Sequence, residues 1–194
     1  MASLISHAVA ALGIGTIFAR PQVPKRVWVI GAVCSLLPDI DVIGFRLGIG
    51  YGAFCGHRGF THSLLFAGVI AMLALVVELP RALSGLSRGW LWLYFFLATA
   101  SHGVLDAMTN GGLGVAFFSP FDKTRYFFPW HPILVSPISL TRFFSERGVA
   151  VMQSELIWIW IPAGLLALLT LVLHRPARRV SPESKTASTT DRQR

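Results

Sequence analysis

The stretch THSLLFAGVIAMLALVVELP, residues 61–80, sets the fold class of this chain. From Thr61 to Leu79 it is an apolar run, closed by Pro80. A helix of about 20 apolar residues crosses the hydrocarbon core of a bilayer. Four more runs read the same way. The first, Leu4 to Ala19, is short for a span. The second runs from Val27 to Leu37, is stopped by Pro38 and continues irregularly to Ile43. Another, Trp90 to Met108, ends at the breaker Asn110-Gly-Gly112, and the last covers Glu155 to Leu173. The expectation is an all-α, polytopic membrane helical bundle of about four to five transmembrane helices. It has four if the first run lies in the interface. Between the runs lie a Gly-rich stretch, Gly44 to Gly59, read as a loop or a short re-entrant piece, and a long polar-aromatic loop, Gly111 to Gln153, that packs on the membrane face.

Composition agrees. Of 194 residues, 54% are hydrophobic and 13% charged, with mean hydropathy +0.62. A soluble domain carries about 25% charged residues. Residues 1–174 form one membrane-embedded domain, and 175–194 a basic, disordered tail. No separate soluble catalytic domain fits, so any chemistry must be built from helix ends and loops. The formal net charge is +8. Its basic residues flank the apolar runs: Arg20, Lys25 and Arg26, then Arg81 and Arg88, then Arg175, Arg178 and Arg179. They read as cytoplasmic topology signals rather than as a nucleic-acid surface, so no nucleic acid is expected as a partner. With five spans, the N-terminus and the Gly44–Phe60 and Gly111–Gln153 loops face outward. Lys123, Arg125, Arg142 and Arg147 in the last loop run against the rule. Cys34 and Cys55 make no CxxC motif. The N-terminus lacks a basic n-region and reads as a retained helix, not a signal peptide.

Against that topology, the unusual polar residues fall toward one face. His7 is at the outer end of the first run. Asp39 and Asp41 end the second, His57 and His62 flank the start of the third, and His102 and Asp106 lie near the end of the fourth. Ionisable groups at membrane depth cost free energy, about 2.5–3.5 kcal/mol for an Asp at a helix centre. A divalent cation held by imidazoles and carboxylates compensates them. His102 and Asp106, four apart, share a helix face. Asp39 and Asp41 would diverge by about 200° on a regular helix. Pro38 disfavours helix at Leu37, so local unwinding can turn both inward. Thr61 can cap the third helix. Arg58 can pair with a substrate phosphate or with a carboxylate.

Each residue also has a plainer reading. His7 could be an interfacial helix-end histidine, His62 a hydrogen-bonding neighbour, His102 with Asp106 a buried pair, and Asp39 and Asp41 loop caps. His131 reads as structural or as a substrate contact, and Cys34 as packing. The plain readings do not explain convergence on one face.

These residues resemble the YdjM-like family of bacterial inner-membrane metal-dependent hydrolases. The likeness rests on His7, Leu36-Leu-Pro-Asp-Ile-Asp41, His57-Arg-Gly-Phe-Thr-His-Ser63, and Ser101-His-Gly-Val-Leu-Asp-Ala-Met-Thr109 with Gly111-Gly112. The order of ligands is also similar to that of zinc-dependent phospholipase C. His131 and Glu146 are weak matches to its later ligands. The resemblance implies His7, Asp39 or Asp41, His62, His102 and Asp106 as ligands of one or two zinc ions; with both aspartates and the neighbouring His57 the candidate metal set is His7, Asp39, Asp41, His57, His62, His102 and Asp106. Asp39 or Asp41 is then a bridging ligand or base, and Arg58 an anion contact. The expected activity is phosphoester hydrolysis at the outer face of the inner membrane, on a phospholipid or lipid-linked substrate. The alternatives are a metal-ion or proton transporter and a non-catalytic membrane protein with a His/Asp metal site.

Overall fold

The computed structural model describes residues 1–19, 23–78, 87–137 and 144–173. Expectations for Arg20, Pro80, Arg81, Arg142, His174 and the tail lie outside the described residues. Within them every regular element is helical. The β contacts are isolated bridges, Thr109 with Ile133 and Val115 with Tyr126.

Helix α1 (Leu4–Gly15) starts at Ser3, whose side chain accepts from the Ser6 amide, and ends in a 3₁₀ turn, Thr16–Phe18. Helix α2 (Lys25–Leu36) tightens at Pro38 into a 3₁₀ segment, Leu37–Val42, and continues as α3 (Ile43–Arg46). The start of the expected Gly-rich loop is therefore helical. A 3₁₀ turn, Phe60–His62, precedes α4 (Leu64–Glu78), and α5 spans Arg88–Ala107. The expected cap of the third helix is corrected: the Phe66 amide donates to Ser63 Oγ at 3.1 Å, and Thr61 Oγ1 turns away to Asp41.

The last helix starts earlier than its apolar run. Helix α6 (Glu146–Glu155) runs through a π-helical turn, Leu156–Trp160, into α7 (Ile161–Leu173). Its first ten residues are polar on average, which hides them from a hydropathy reading. Their buried positions Gly148, Val151 and Glu155 nonetheless recur on one helical face. The aromatic loop ends at α6 accordingly.

Helix α5 is central and packs against α1, α2 and α4, while α7 lies on α1. The packing faces are made of small residues. Helix α4 buries Ala67, Ala71 and Ala74 and exposes Leu65, Val69, Met72, Leu73 and Val76. Small residues let helices approach closely where lipid solvates the large ones. A water-soluble protein rarely exposes so continuous an apolar face. Among the described residues two helices are long and apolar enough to cross a membrane: Lys25–Arg46 with 22 residues and Glu146–Leu173 with 28. Leu4–Phe18 and Leu64–Glu78 are apolar but shorter. At 1.5 Å per residue, a 15-residue helix covers about 23 Å of a core about 30 Å thick. Of the four to five expected spans, two among the described residues combine the length and the apolarity of a crossing helix, and α5, with 20 residues, has the length.

Candidate metal centre

The start of α1, the 3₁₀ end of the α2 segment, the turn before α4 and the last turn of α5 meet at one end of the bundle. Their side chains make one buried cluster. Asp39, His62, His102 and Asp106 each offer one ligand atom, all within 4.8 Å of one another. His102 Nε2 lies 3.3 Å from Asp39 Oδ1 and 4.0 Å from Asp106 Oδ2. His62 Nε2 lies 3.8 and 3.6 Å from the same two oxygens. Tetrahedral ligands about 2.0–2.2 Å from an ion stand about 3.3–3.6 Å apart, so the spacing fits a cation with slight contraction.

The second atoms of these groups explain their orientation. His102 Nδ1 donates to the Ser35 carbonyl at 2.7 Å, which leaves the lone pair on Nε2. His62 Nδ1 faces Thr61 Oγ1 at 3.1 Å and Asp41 Oδ2 at 3.2 Å, so its Nε2 also points into the cluster. An imidazole held from behind by a carboxylate or carbonyl is the usual support of a metal-bound histidine. Asp39 Oδ1 and Oδ2, His62 Nε2, His102 Nε2 and Asp106 Oδ2 accept no hydrogen bond from the protein, although all are buried. Buried polar atoms normally have partners. Three carboxylates, Asp39, Asp41 and Asp106, gather here with one guanidinium, that of Arg58, which is paired with Asp106. That donor set and charge fit a divalent ion.

The other expected site residues take different places. Asp41 is saturated: Oδ1 pairs with His57 Nδ1 at 2.7 Å, and Oδ2 accepts from Thr61 Oγ1 at 2.6 Å and the Arg58 amide at 3.2 Å. Asp41, His57 and His62 Nδ1 also lie close enough to hold an ion, but short hydrogen bonds already occupy them. We read Asp41 and His57 as supports of His62. His7 stacks on His102 with ring centroids 3.6 Å apart and planes at 9°. Its Nε2 is 3.5 Å from Asp106 Oδ1, at the edge of the cluster. His131 is exposed against Phe127, and Glu146 is exposed at the start of α6; neither joins the cluster.

Arg58 is fully buried, with φ at +62°. Its Nε lies 3.1 Å from Asp106 Oδ2, Nη1 donates to the Gly111 and Leu113 carbonyls, and Nη2 donates to Thr109 Oγ1. Of its two expected roles, it displays the pairing with a carboxylate. Its guanidinium nitrogens all meet groups of the protein itself. Arg125 fastens the neighbouring loop, donating to the carbonyls of His57 and Tyr51 at 2.9 and 3.0 Å. Burial pushes Arg125 below and Tyr51 above their ordinary pKa ranges.

Sequence reasoning missed Glu155, Thr61 as a partner of Asp41, and the backbone supports. Glu155 is fully buried and bonded to Ser3 and Ser6. An acid at the mouth of an apolar run was the available signal.

Comparison with known proteins supplies the family. The chain is 41% identical to inner membrane protein YbcI of Escherichia coli (strain K12) over 166 residues, which is 86% of this chain and 95% of that one. No solved structure matches. The model of the YdjM inner membrane protein family matches residues 1–178, which take in every helix described above and the whole His/Asp cluster. The chain belongs to the YdjM family of inner membrane proteins.

Proposed function

We propose that this chain is a multi-pass, membrane-bound metal-dependent hydrolase that acts on a phosphoester such as a phospholipid headgroup or a lipid-linked phosphate. One observation carries the reading: five buried acceptor atoms on Asp39, His62, His102 and Asp106 converge without a hydrogen bond from the protein, the Arg58 guanidinium meeting one of them as an ion pair. Those four residues would hold the ion, with His7 beside them. When bound, a divalent ion such as zinc supplies Lewis-acid polarisation of a phosphoryl oxygen and makes water more acidic. The chain's own residues do the rest. Ser35 and Asp41 hold the two histidines in the tautomers that present Nε2. Arg58 holds Asp106. Neither oxygen of Asp39 accepts a hydrogen bond from the protein, so one can serve the ion while the other takes a proton from water. The outer membrane face is proposed for the site because the basic flanks Lys25, Arg26 and Arg88 lie at the opposite helix ends.

A second reading rests on burial. Four protein ligands with almost no exposure match a closed, structural metal site, whereas catalytic sites keep a position open. Metal content of detergent-purified protein, wild type beside His102→Ala and Asp106→Ala, tests the site. Stoichiometric zinc lost in both variants supports it, and metal-free wild type refutes it. Turnover of phospholipid or phosphoester substrates by the zinc-loaded protein, absent in Asp39→Asn, then favours the hydrolase. Full zinc with no turnover across the substrate panel favours the structural reading.

A further inference from the structure

Glu155 is a buried acid that the four-ligand site does not use. It ends α6, and its carboxylate is wholly enclosed in a helix that is otherwise largely exposed. Oε1 accepts from the Ser3 amide at 2.5 Å, and Oε2 from Ser3 Oγ at 2.5 Å and Ser6 Oγ at 2.7 Å. Trp160 Nε1 donates to the same Ser6 Oγ at 2.8 Å. Glu155 and Trp160 bracket the π-helical turn Leu156–Trp160, a local widening of the helix that recurs at functional sites. The last helix thus grips the first turn of α1 from both ends of that turn.

The gripped turn leads directly to the cluster. The Ala2 amide donates to Asp106 Oδ1 at 2.9 Å. His7, next to Ser6, stacks on His102 and approaches the same oxygen. Asp106 therefore has Oδ1 held by Ala2, the residue before the Ser3 cap of α1, and approached by His7 of α1 and the Met1 ammonium, while Oδ2 turns toward His62 and Arg58. An anchor between two helices needs no buried carboxylate, because apolar contacts anchor without desolvating a charge. A carboxylate that gathers three donors in one turn instead defines that turn's position and rotation.

We propose that Glu155 is a positioning residue of the metal centre, acting through the first turn of α1 to orient Asp106 and His7 and so coupling the last helix to the site. This rests on the metal reading above. The test uses the full-length protein in detergent, with zinc affinity measured by chelator competition and the visible spectrum of the cobalt-loaded form. The variants are Glu155→Ala, Glu155→Gln and Ser6→Ala, with His102→Ala as reference. Loss of an outer support typically costs about 10–100-fold in metal affinity. The expected result is a loss of that size and an altered cobalt spectrum in Glu155→Ala, with a smaller loss in Ser6→Ala. Glu155→Gln should recover part, since its amide oxygen can still accept from Ser3. Wild-type affinity and spectrum in Glu155→Ala overturn the proposal, even if the metal-free protein melts earlier, because that pattern is a plain helix anchor. If Glu155→Ala does not fold, wild-type behaviour of both Ser6→Ala and Glu155→Gln overturns it. Zinc bound by wild type and lost in His102→Ala, with the Glu155 and Ser6 variants unaffected, sinks the positioning role alone. No zinc on wild type sinks the metal reading with it.

Discussion

At the scale of single residues, the two aspartates of Pro38-Asp-Ile-Asp41 divide the work. The segment keeps its helical course but tightens to 3₁₀. With about three residues per turn, positions two apart sit about 120° from one another. Asp39 therefore meets His102 while Asp41 meets His57 and Thr61. Both are buried, as local unwinding was expected to achieve, yet they do not share one role. Asp41→Asn should weaken zinc binding by about 10–100-fold without removing a ligand, measured by chelator competition. An undiminished affinity would mean that Asp41 does not orient His62. Arg58→Ala leaves Asp106 buried without its guanidinium. In metal-free protein this should cost about 3–5 kcal/mol of stability, read from denaturant unfolding in detergent. A loss under 1 kcal/mol would show that the pair carries little.

At the scale of elements, close approach between helices decides the bundle. A Cβ on Gly31 of α2 would meet the Tyr94 hydroxyl at 2.1 Å and its ring carbons at 2.4 and 2.6 Å. Tyr94 is buried in α5, among Phe18, Trp28 and Phe95, and cannot swing aside. Gly31→Ala should therefore destabilise by about 1–3 kcal/mol through overpacking. A thermal melt unchanged from wild type would contradict the tight α2–α5 crossing. At the far ends of α2 and α4, Arg26 Nε reaches the buried Glu78 at 2.9 Å. The helix termini away from the metal cluster thus have their own ionic tie. Element boundaries were legible wherever hydropathy marks them, as in α4 and α5. They were not legible in α6, whose polar first turns carry their signal in spacing rather than in mean hydropathy.

At the scale of the whole molecule, orientation in the membrane is the open quantity with the simplest probe. Cys34 is buried between helices and Cys55 is exposed, in the loop that carries His57 and Arg58. If the cluster faces outward, a membrane-impermeant maleimide should label Cys55 in intact spheroplasts. The signal should disappear in Cys55→Ser. Labelling that requires lysis would put the cluster on the cytoplasmic side and remove the outer leaflet as the source of substrate.

The sequence by itself determined the solvent of this protein. Its apolar runs and scarce charges demand lipid around helices, since backbone groups in hydrocarbon must bond within their own segment. It also determined which residue types are too costly to stand at membrane depth without partners, and so named His7, Asp39, Asp41, His57, His62, His102 and Asp106 together. Tertiary structure alone decided how these divide into groups aimed at an ion and groups aimed at each other. That division depends on which nitrogen or oxygen of each side chain meets Ser35, Thr61 or Arg58, contacts between residues far apart in the chain. Tertiary structure likewise recruited Glu155, because only the packing of α1 against the last helix brings that carboxylate to Ser3 and Ser6.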